Sequence, residues 1–296
     1  MTFFRLLRIS FVGARNDTTA FFETKVLRFW LLAMGAGLIL ILLPSICFGA
    51  NQNFSSKNKT KPVVIEAPLK TFTVGESLIY DVSWMGIPIG YGSLEVKEKV
   101  KVRGRDAFHV IAIARTNEFL SNLYPVYDEI HSWIDCEKFY SLEFRKDLKE
   151  GRYRADEKIV YDHEAKKAFY ESFRNHSKKE IAIPPGVHDF ISAFFWFRLQ
   201  PLQVGQNLHT LVNSEAENWD LEIRPTKTAI KEFHGGQVMN TVLVEPRTKL
   251  KGILYDRGQA WVYFTTDSRR LPVWIVLHTP FGPVAGVLRM HSSSGD

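Results

Sequence analysis

The chain has 296 residues, of which 45% are hydrophobic and 24% charged, the composition of an ordinary globular protein. Its formal net charge is +6, but part of that excess lies before residue 51, and the remainder lacks the concentrated basic face that nucleic-acid binding needs. The two cysteines, Cys47 and Cys136, provide neither a disulfide framework nor the spacing of a metal site. We therefore expect no nucleic-acid partner, no bound metal and no cofactor.

The first 50 residues contain the parts of a secretory signal. An apolar stretch, Phe29–Ile46, follows the basic Arg28 and precedes the small residues Gly49 and Ala50, which is the usual arrangement of a cleaved leader. The stretch also approaches the length of a membrane-spanning helix, so an uncleaved anchor is the alternative. A lipoprotein attached through Cys47 is the third alternative, although the bulky Ile46 before this cysteine disfavours it. All three alternatives predict a periplasmic or otherwise exported protein.

Two regions follow this leader. Residues 51–70 contain several Asn, Ser and Lys residues and few large apolar ones, so they are predicted to be a flexible tether. Residues 71–290 are predicted to form a single β-rich domain, since all-β domains often run to about 200–250 residues.

Apolar and polar residues alternate along most of this domain. The run from Leu78 to Trp84 has Asp81 and Ser83 between large apolar side chains, and similar runs recur up to Leu277. Such alternation is typical of strands buried on one face, and turn signals such as Arg103–Asp106 separate the runs. About ten to thirteen strands in series predict a mainly β fold. A large curved antiparallel sheet or a barrel-like fold is expected, because so long a sheet curves or closes to hide its edges.

One segment departs from the strand pattern. Asp189–Arg198 is apolar nearly all round and contains no turn residues. Either His188 or Asp189 can cap a helix at its start, and Pro201 follows its end. The segment is predicted to be a single buried helix that packs in or across the sheet. A shorter helix around Asn117–Tyr124 is a further candidate.

Four separated blocks resemble one known family. They are Thr73–Trp84 with Ile87–Gly90, the Asp189-x-x-Ser192-Ala193 helix ending in Arg198, Pro201-Leu-x-x-Gly205, and Val262-Tyr-Phe-x-x-Asp267-x-x-Arg270-x-Pro272-Val273. In this order and spacing the blocks resemble DUF3108, a family of exported bacterial proteins of unknown function, across about residues 71–290. The resemblance implies an exported, β-rich domain, and it brings no established activity and no catalytic residues.

The polar residues of the predicted helix are the candidate ligand-binding residues. Asp189 and Ser192 share one helical face because they are three residues apart, and Arg198 stands beside the aromatic Trp196. Capping and internal ion pairing are one explanation of these residues. The alternative is that Arg198 or Arg270 pairs with an anionic head group at the mouth of an apolar cavity, for which arginine is well suited.

The sequence carries none of the common catalytic signatures. It has no Gly-x-Ser-x-Gly elbow, no His-Glu-x-x-His and no phosphate loop. Asp156 and Glu157 are adjacent in a predicted strand, so they face opposite sides of the sheet and cannot act as a pair. The prediction is therefore a non-catalytic envelope protein that binds a lipid-like or hydrophobic ligand. The alternative is a structural or assembly factor that acts through contacts with an envelope protein partner.

Overall fold

The computed structural model describes residues 64–65, 72–214, 217–233, 237–250, 253–255, 260–279 and 282–293. The strands in this part of the chain are β1 (Val64–Ile65), β2 (Ser77–Trp84), β3 (Ile87–Val102), β4 (Arg105–Thr116), β5 (Val126–Asp135), β6 (Ser141–Glu150), β7 (Tyr153–Asp162), β8 (Lys167–Ser172), β9 (Ser177–Ala182), β10 (Leu202–Gln203), β11 (Leu208–Ser214), β12 (Glu217–Glu232), β13 (Val238–Leu250), β14 (Ile253–Tyr255), β15 (Ala260–Thr265), β16 (Pro272–Thr279) and β17 (Gly282–Ser292). The helices are α1 (Glu118–Ser121) and α2 (Phe190–Arg198).

One large antiparallel sheet contains every strand except β1 and β10, which pair with each other. Its order is β11-β12-β13-β15-β16-β17-β2-β3-β4-β5-β6-β7-β8-β9, with β14 beside β13. Most neighbours follow each other in the chain, whereas the pairing of β17 with β2 joins strands from its two ends. The sheet is not closed, and β9 and β11 are its edges. The predicted mainly β fold is therefore confirmed.

The burial pattern of β2 explains why these residues form strands. Leu78, Tyr80 and Val82 are buried, and they alternate with the partly exposed Ile79 and Asp81. Because successive strand residues face opposite sides of a sheet, one face is apolar and meets the core. The same alternation recurs on β5 and β6, so the periodicity in the sequence identified the inner face correctly.

Several strands between residues 173 and 238 were not predicted from the alternation of apolar and polar residues. β9 has the sequence SKKEIA and buries none of its residues, so it has no apolar alternation to detect. Its exposed Lys178 and Lys179 suit a sheet edge, because charged side chains there oppose pairing with another chain. In β12, charged residues surround the buried Leu221 and Ile223. The predicted ten to thirteen strands therefore fall short of the number in the described residues.

The helix α2 lies against the inner face of the sheet. It begins after Asp189, whose side chain caps it, and all of its residues except Trp196 are buried. Three of its rings make edge-to-face contacts with surrounding rings: Phe195 with Phe72 at 4.4 Å, Phe190 with Phe144 at 5.0 Å, and Phe197 with Phe264 at 4.9 Å between centroids. The predicted buried helix is therefore confirmed.

The shorter helix candidate corresponds to α1. Asn117 is its N-cap, and the side-chain oxygen of Asn117 accepts a hydrogen bond from the Leu120 amide at 2.9 Å. The predicted leader, and all of the predicted tether except Val64 and Ile65, lie outside the described residues. Neither described helix is both long and apolar enough to cross a membrane.

Candidate functional site

Asp189 and Ser192 lie at the buried start of α2. One carboxylate oxygen of Asp189 accepts hydrogen bonds from the amides of Ile191 and Ser192, at 2.7 and 2.9 Å. The other accepts from the hydroxyls of Ser132 and Ser141, at 2.7 and 2.5 Å. Burial raises the pKa of Asp189, although these four donors oppose the rise. Both carboxylate oxygens are thus occupied in fixing the helix to β5 and β6.

Arg198 lies at the other end of α2, about 13 Å from Asp189 by helix geometry. Its guanidinium donates to a Glu76 carboxylate oxygen at 2.5 Å and to the Arg269 carbonyl at 3.1 Å. The side chains of Arg198 and Glu76 are each 6% exposed. This ion pair joins the end of α2 to the residue that precedes β2. The predicted residues thus form two separate groups rather than one site.

Arg270 is completely buried and donates a hydrogen bond from its guanidinium to the Gln200 carbonyl. Burial and, to a smaller extent, the nearby Arg198 charge lower the pKa of Arg270 to about 10. Trp196 is partly exposed, and its ring centroid lies 5.6 Å from that of His188. Arg270 and Arg198 are therefore close enough to interact electrostatically, while Trp196 faces the His188 side of the helix.

A small cavity separates α2 from part of the sheet. Ala193, Phe194 and Phe197 line it on the helix side, and Leu221 and Val262 lie opposite. Its volume is about 20 Å³, whereas a single water needs roughly 10–15 Å³ on the same measure. This cavity has no room for an acyl chain.

A much larger groove of about 570 Å³ lies on the outer face of the sheet. It spans β17, β2, β3, β4 and β5, and its lining residues are Ile79, Tyr91, Gly92, Ser93, Ile113, Arg115, Tyr127 and Arg289. These eight residues form the outer groove. The sequence pattern did not predict this groove, because the groove combines outward-facing positions from five strands. The available signal was large apolar or aromatic side chains at positions expected to face solvent.

Aromatic and basic side chains are combined in the outer groove. The guanidinium carbons of Arg115 and Arg289 lie 5.9 and 5.3 Å from the centroid of the Tyr91 ring. Arg289 also pairs with the partly exposed Asp81 at 3.2 Å. Among the described residues, Arg115 has no carboxylate within ion-pair distance. The groove therefore offers one unpaired guanidinium beside an aromatic face, which is suited to an anionic group.

Two buried carboxyl groups that the sequence pattern did not predict, those of Asp128 and Glu150, lie on the inner face of the sheet. Asp128 and Glu150 are 1% and 0% exposed, and Asp128 accepts a hydrogen bond from the Lys149 amide at 2.8 Å. Burial raises the pKa of Asp128 to about 6, while hydrogen bonds from Lys149 and with Glu150 oppose the rise. Within the described part of the chain, no three His, Cys, Asp or Glu side chains are grouped to hold a metal ion.

Solved structures that are similar to this chain include two bacterial proteins. A β-barrel-like protein of the domain of unknown function DUF1849 from Brucella abortus is 10% identical, with a TM-score of 0.47 over 76% of this chain and 100% of that one. A protein with a YmcC-like fold from Bacteroides fragilis is 6% identical, with a TM-score of 0.33 over 77% of this chain and 100% of that one. No curated protein matches the chain.

The family comparison covers most of the domain. The model of DUF3108, a protein of unknown function, matches residues 79–289, a span that runs from β2 to β17 and includes α2 and the outer groove. The chain therefore belongs to the DUF3108 family.

Proposed function

We propose that this protein is a non-catalytic, exported envelope protein that binds an anionic, lipid-like molecule in the outer groove. The observation that carries the proposal is the combination of tyrosine rings and guanidinium groups around a sizeable concave surface. The predicted leader supports an envelope location. Binding in the outer groove requires none of the five residues predicted from the sequence.

The size and lining of the groove support a small-molecule ligand. Ligand sites typically enclose about 300–1,000 Å³ and are lined mainly by apolar and aromatic side chains. The outer groove has about 570 Å³, and Ile79, Ile113 and the rings of Tyr91 and Tyr127 supply its apolar surface. The small Ser93 leaves space between these larger side chains. We propose that a single alkyl chain of the ligand lies along this surface.

The charges at the groove favour an anionic head group. Arg115 has no carboxylate partner among the described residues, and a planar guanidinium binds phosphate or carboxylate through two parallel hydrogen bonds. The Arg289–Asp81 pair is well exposed, at 45% and 37%, and such pairs contribute only about 0–1 kcal/mol. An incoming anion therefore competes with Asp81 at little cost.

The packing around α2 supports a framework role for that helix. Asp189 and Arg198 are engaged in internal bonds at its two ends, and the small cavity beside it is too small for a lipid chain. We therefore place the ligand on the outer face of the sheet instead of beneath α2.

Titration calorimetry with a single-chain anionic lipid, lysophosphatidylglycerol, tests this function. We expect wild-type protein to bind it more tightly than the zwitterionic lysophosphatidylcholine. Arg115→Gln should weaken binding by about ten- to a hundredfold, since a charge-assisted hydrogen bond contributes roughly 1.5–3 kcal/mol. Lys101→Gln is the matched control, because Lys101 is exposed on β3 outside the groove and the charge change is the same. Equal affinities for the two lipids, or equal losses in both variants, would contradict the proposal.

A further inference from the structure

Four large apolar side chains are exposed at one end of the sheet. Met85 and Ile87 lie at the turn between β2 and β3, and Phe119 and Leu123 lie in and just after α1. Their exposed fractions range from 54% to 71%. These four residues are named the apolar rim. Isolated exposed apolar residues are common, but a group of them at one place marks an interaction surface.

Internal contacts fix the two halves of the apolar rim to each other. The Asn117 amide donates to the Ile89 carbonyl at 2.9 Å, and the Asn117 side chain donates to the Pro88 carbonyl at 3.0 Å. Behind the rim, Leu120 and Trp84 pack against a buried cluster that includes Ile89. Since α1 is tied to the start of β3 in this way, the rim is a preformed surface.

A basic turn lies next to the apolar rim. The β6–β7 turn contacts the segment after α1, because the Gly151 amide donates to the Pro125 carbonyl at 2.8 Å. Arg152 and Arg154 in and after this turn are exposed, and within the described residues neither lies within ion-pair distance of a carboxylate. Glu118 is the exposed acid on α1. Positive charge therefore exceeds negative charge beside the rim.

We propose that the apolar rim docks on the surface of an anionic lipid bilayer. Exposed aromatic and aliphatic side chains gain free energy when they enter the boundary between head groups and acyl chains, and basic residues beside them are attracted to anionic lipids. Charge complementarity selects this occupant, because the apolar side chains lie beside two exposed guanidiniums that have no carboxylate partner among the described residues. This inference goes beyond the proposed function, since the apolar rim and the outer groove share no residue.

Co-sedimentation with lipid vesicles tests the docking surface. We expect wild-type protein to bind vesicles of phosphatidylglycerol mixed with phosphatidylcholine more tightly than vesicles of phosphatidylcholine alone. Phe119→Ser combined with Leu123→Ser should weaken binding to vesicles by about tenfold, because the two apolar side chains that would be partly buried in the lipid interface are removed. The matched control combines Ile230→Ser with Val238→Ser, which are 72% and 62% exposed on the β12–β13 hairpin.

Two further variants distinguish the effect of the basic turn on vesicle binding from the effect of the outer groove on lyso-lipid binding. Arg152→Gln combined with Arg154→Gln should lower binding to the phosphatidylglycerol vesicles by about tenfold and leave the weaker binding to neutral vesicles unchanged. Titration with lysophosphatidylglycerol should be unaffected by the Phe119 and Leu123 changes. Loss of vesicle binding with intact lyso-lipid binding therefore identifies the rim, whereas the reverse pattern in Arg115→Gln identifies the groove.

Three results would overturn the docking proposal. The first is the absence of binding to either kind of vesicle, and the second is an equal loss in the rim variant and the Ile230 and Val238 control. The third is self-association of wild-type protein that the Phe119 and Leu123 changes abolish, since the rim would then be an interface between two copies of this chain.

Discussion

The ion pair between Arg198 and Glu76 gives the sharpest test of how α2 is held in the sheet. The perturbation is Arg198→Met, which keeps much of the side-chain volume and removes the charge. The Glu76 carboxylate would remain, with a side chain only 6% exposed and its closest guanidinium lost. Glu76→Gln is the complementary change, and the double variant removes both charges.

The expected magnitude follows from the burial of this pair. Removing one partner of a buried ion pair leaves an uncompensated charge and costs about 3–5 kcal/mol of unfolding free energy. Removing both leaves neither Glu76 nor Arg198 as a charge without its partner, so the double variant should lose less than the sum of the single losses, by about 1–3 kcal/mol. Lys101→Met is the control, because its pair with Asp106 is 71% and 51% exposed and should contribute less than about 1 kcal/mol.

Urea unfolding followed by circular dichroism measures these free energies from the midpoint and slope of each transition. Two outcomes would refute the reasoning. One is that Arg198→Met and Glu76→Gln each lie within about 1 kcal/mol of wild type, like the control. The other is strict additivity in the double variant, which would mean that the two side chains do not interact.

Three further predictions concern stability. Asp189→Ala should lower the free energy of unfolding in urea by about 2–4 kcal/mol, because it removes a helix cap and leaves buried hydroxyls without an acceptor. Asn117→Ala, at the partly exposed cap of α1, should lower it by about 1 kcal/mol. Similar losses in the two variants would be evidence against the buried cap. The pKa of Asp128 is about 6 in the folded protein, above its ordinary value of 3.8, so the carboxyl binds its proton more tightly when the protein is folded. The contribution of Asp128 to stability is full below about pH 4 and declines by about 2–3 kcal/mol as pH rises through 6. Asp128→Asn should reduce this decline when the free energy of unfolding is measured as a function of pH. An unchanged pH profile would contradict the assignment. Gly90→Ala should cost at least about 1–3 kcal/mol, because the added carbon would lie 2.1 Å from the Arg115 carbonyl oxygen; a melting temperature equal to that of wild type would count against this close approach.

The fold could be predicted where local sequence carries the physical cause. The alternation in β2 reflects one buried and one solvated face, and α2 stood out because its apolar residues lack both alternation and turn residues. β9 has no buried side chain, so periodicity had nothing to detect there. The number of strands was underestimated for this reason.

The candidate site could be predicted less well because it depends on long-range pairing. Arg198 was recognised as a polar residue in an apolar helix, but its partner Glu76 lies 122 positions earlier, and no local pattern connects them. The outer groove forms because β17 pairs with β2, which brings Arg289 beside Tyr91. Such a pairing becomes visible only in three dimensions.

Photocrosslinking with a photoreactive lysophosphatidylglycerol, followed by peptide mass spectrometry, tests the proposed ligand site most directly. The proposal predicts adducts on the outer groove, at peptides containing Tyr91, Ile113 or Tyr127, and predicts that Arg115→Gln reduces them. Adducts concentrated on the α2 peptide around Trp196, or labelling no stronger than that of Lys-rich β9, would contradict it.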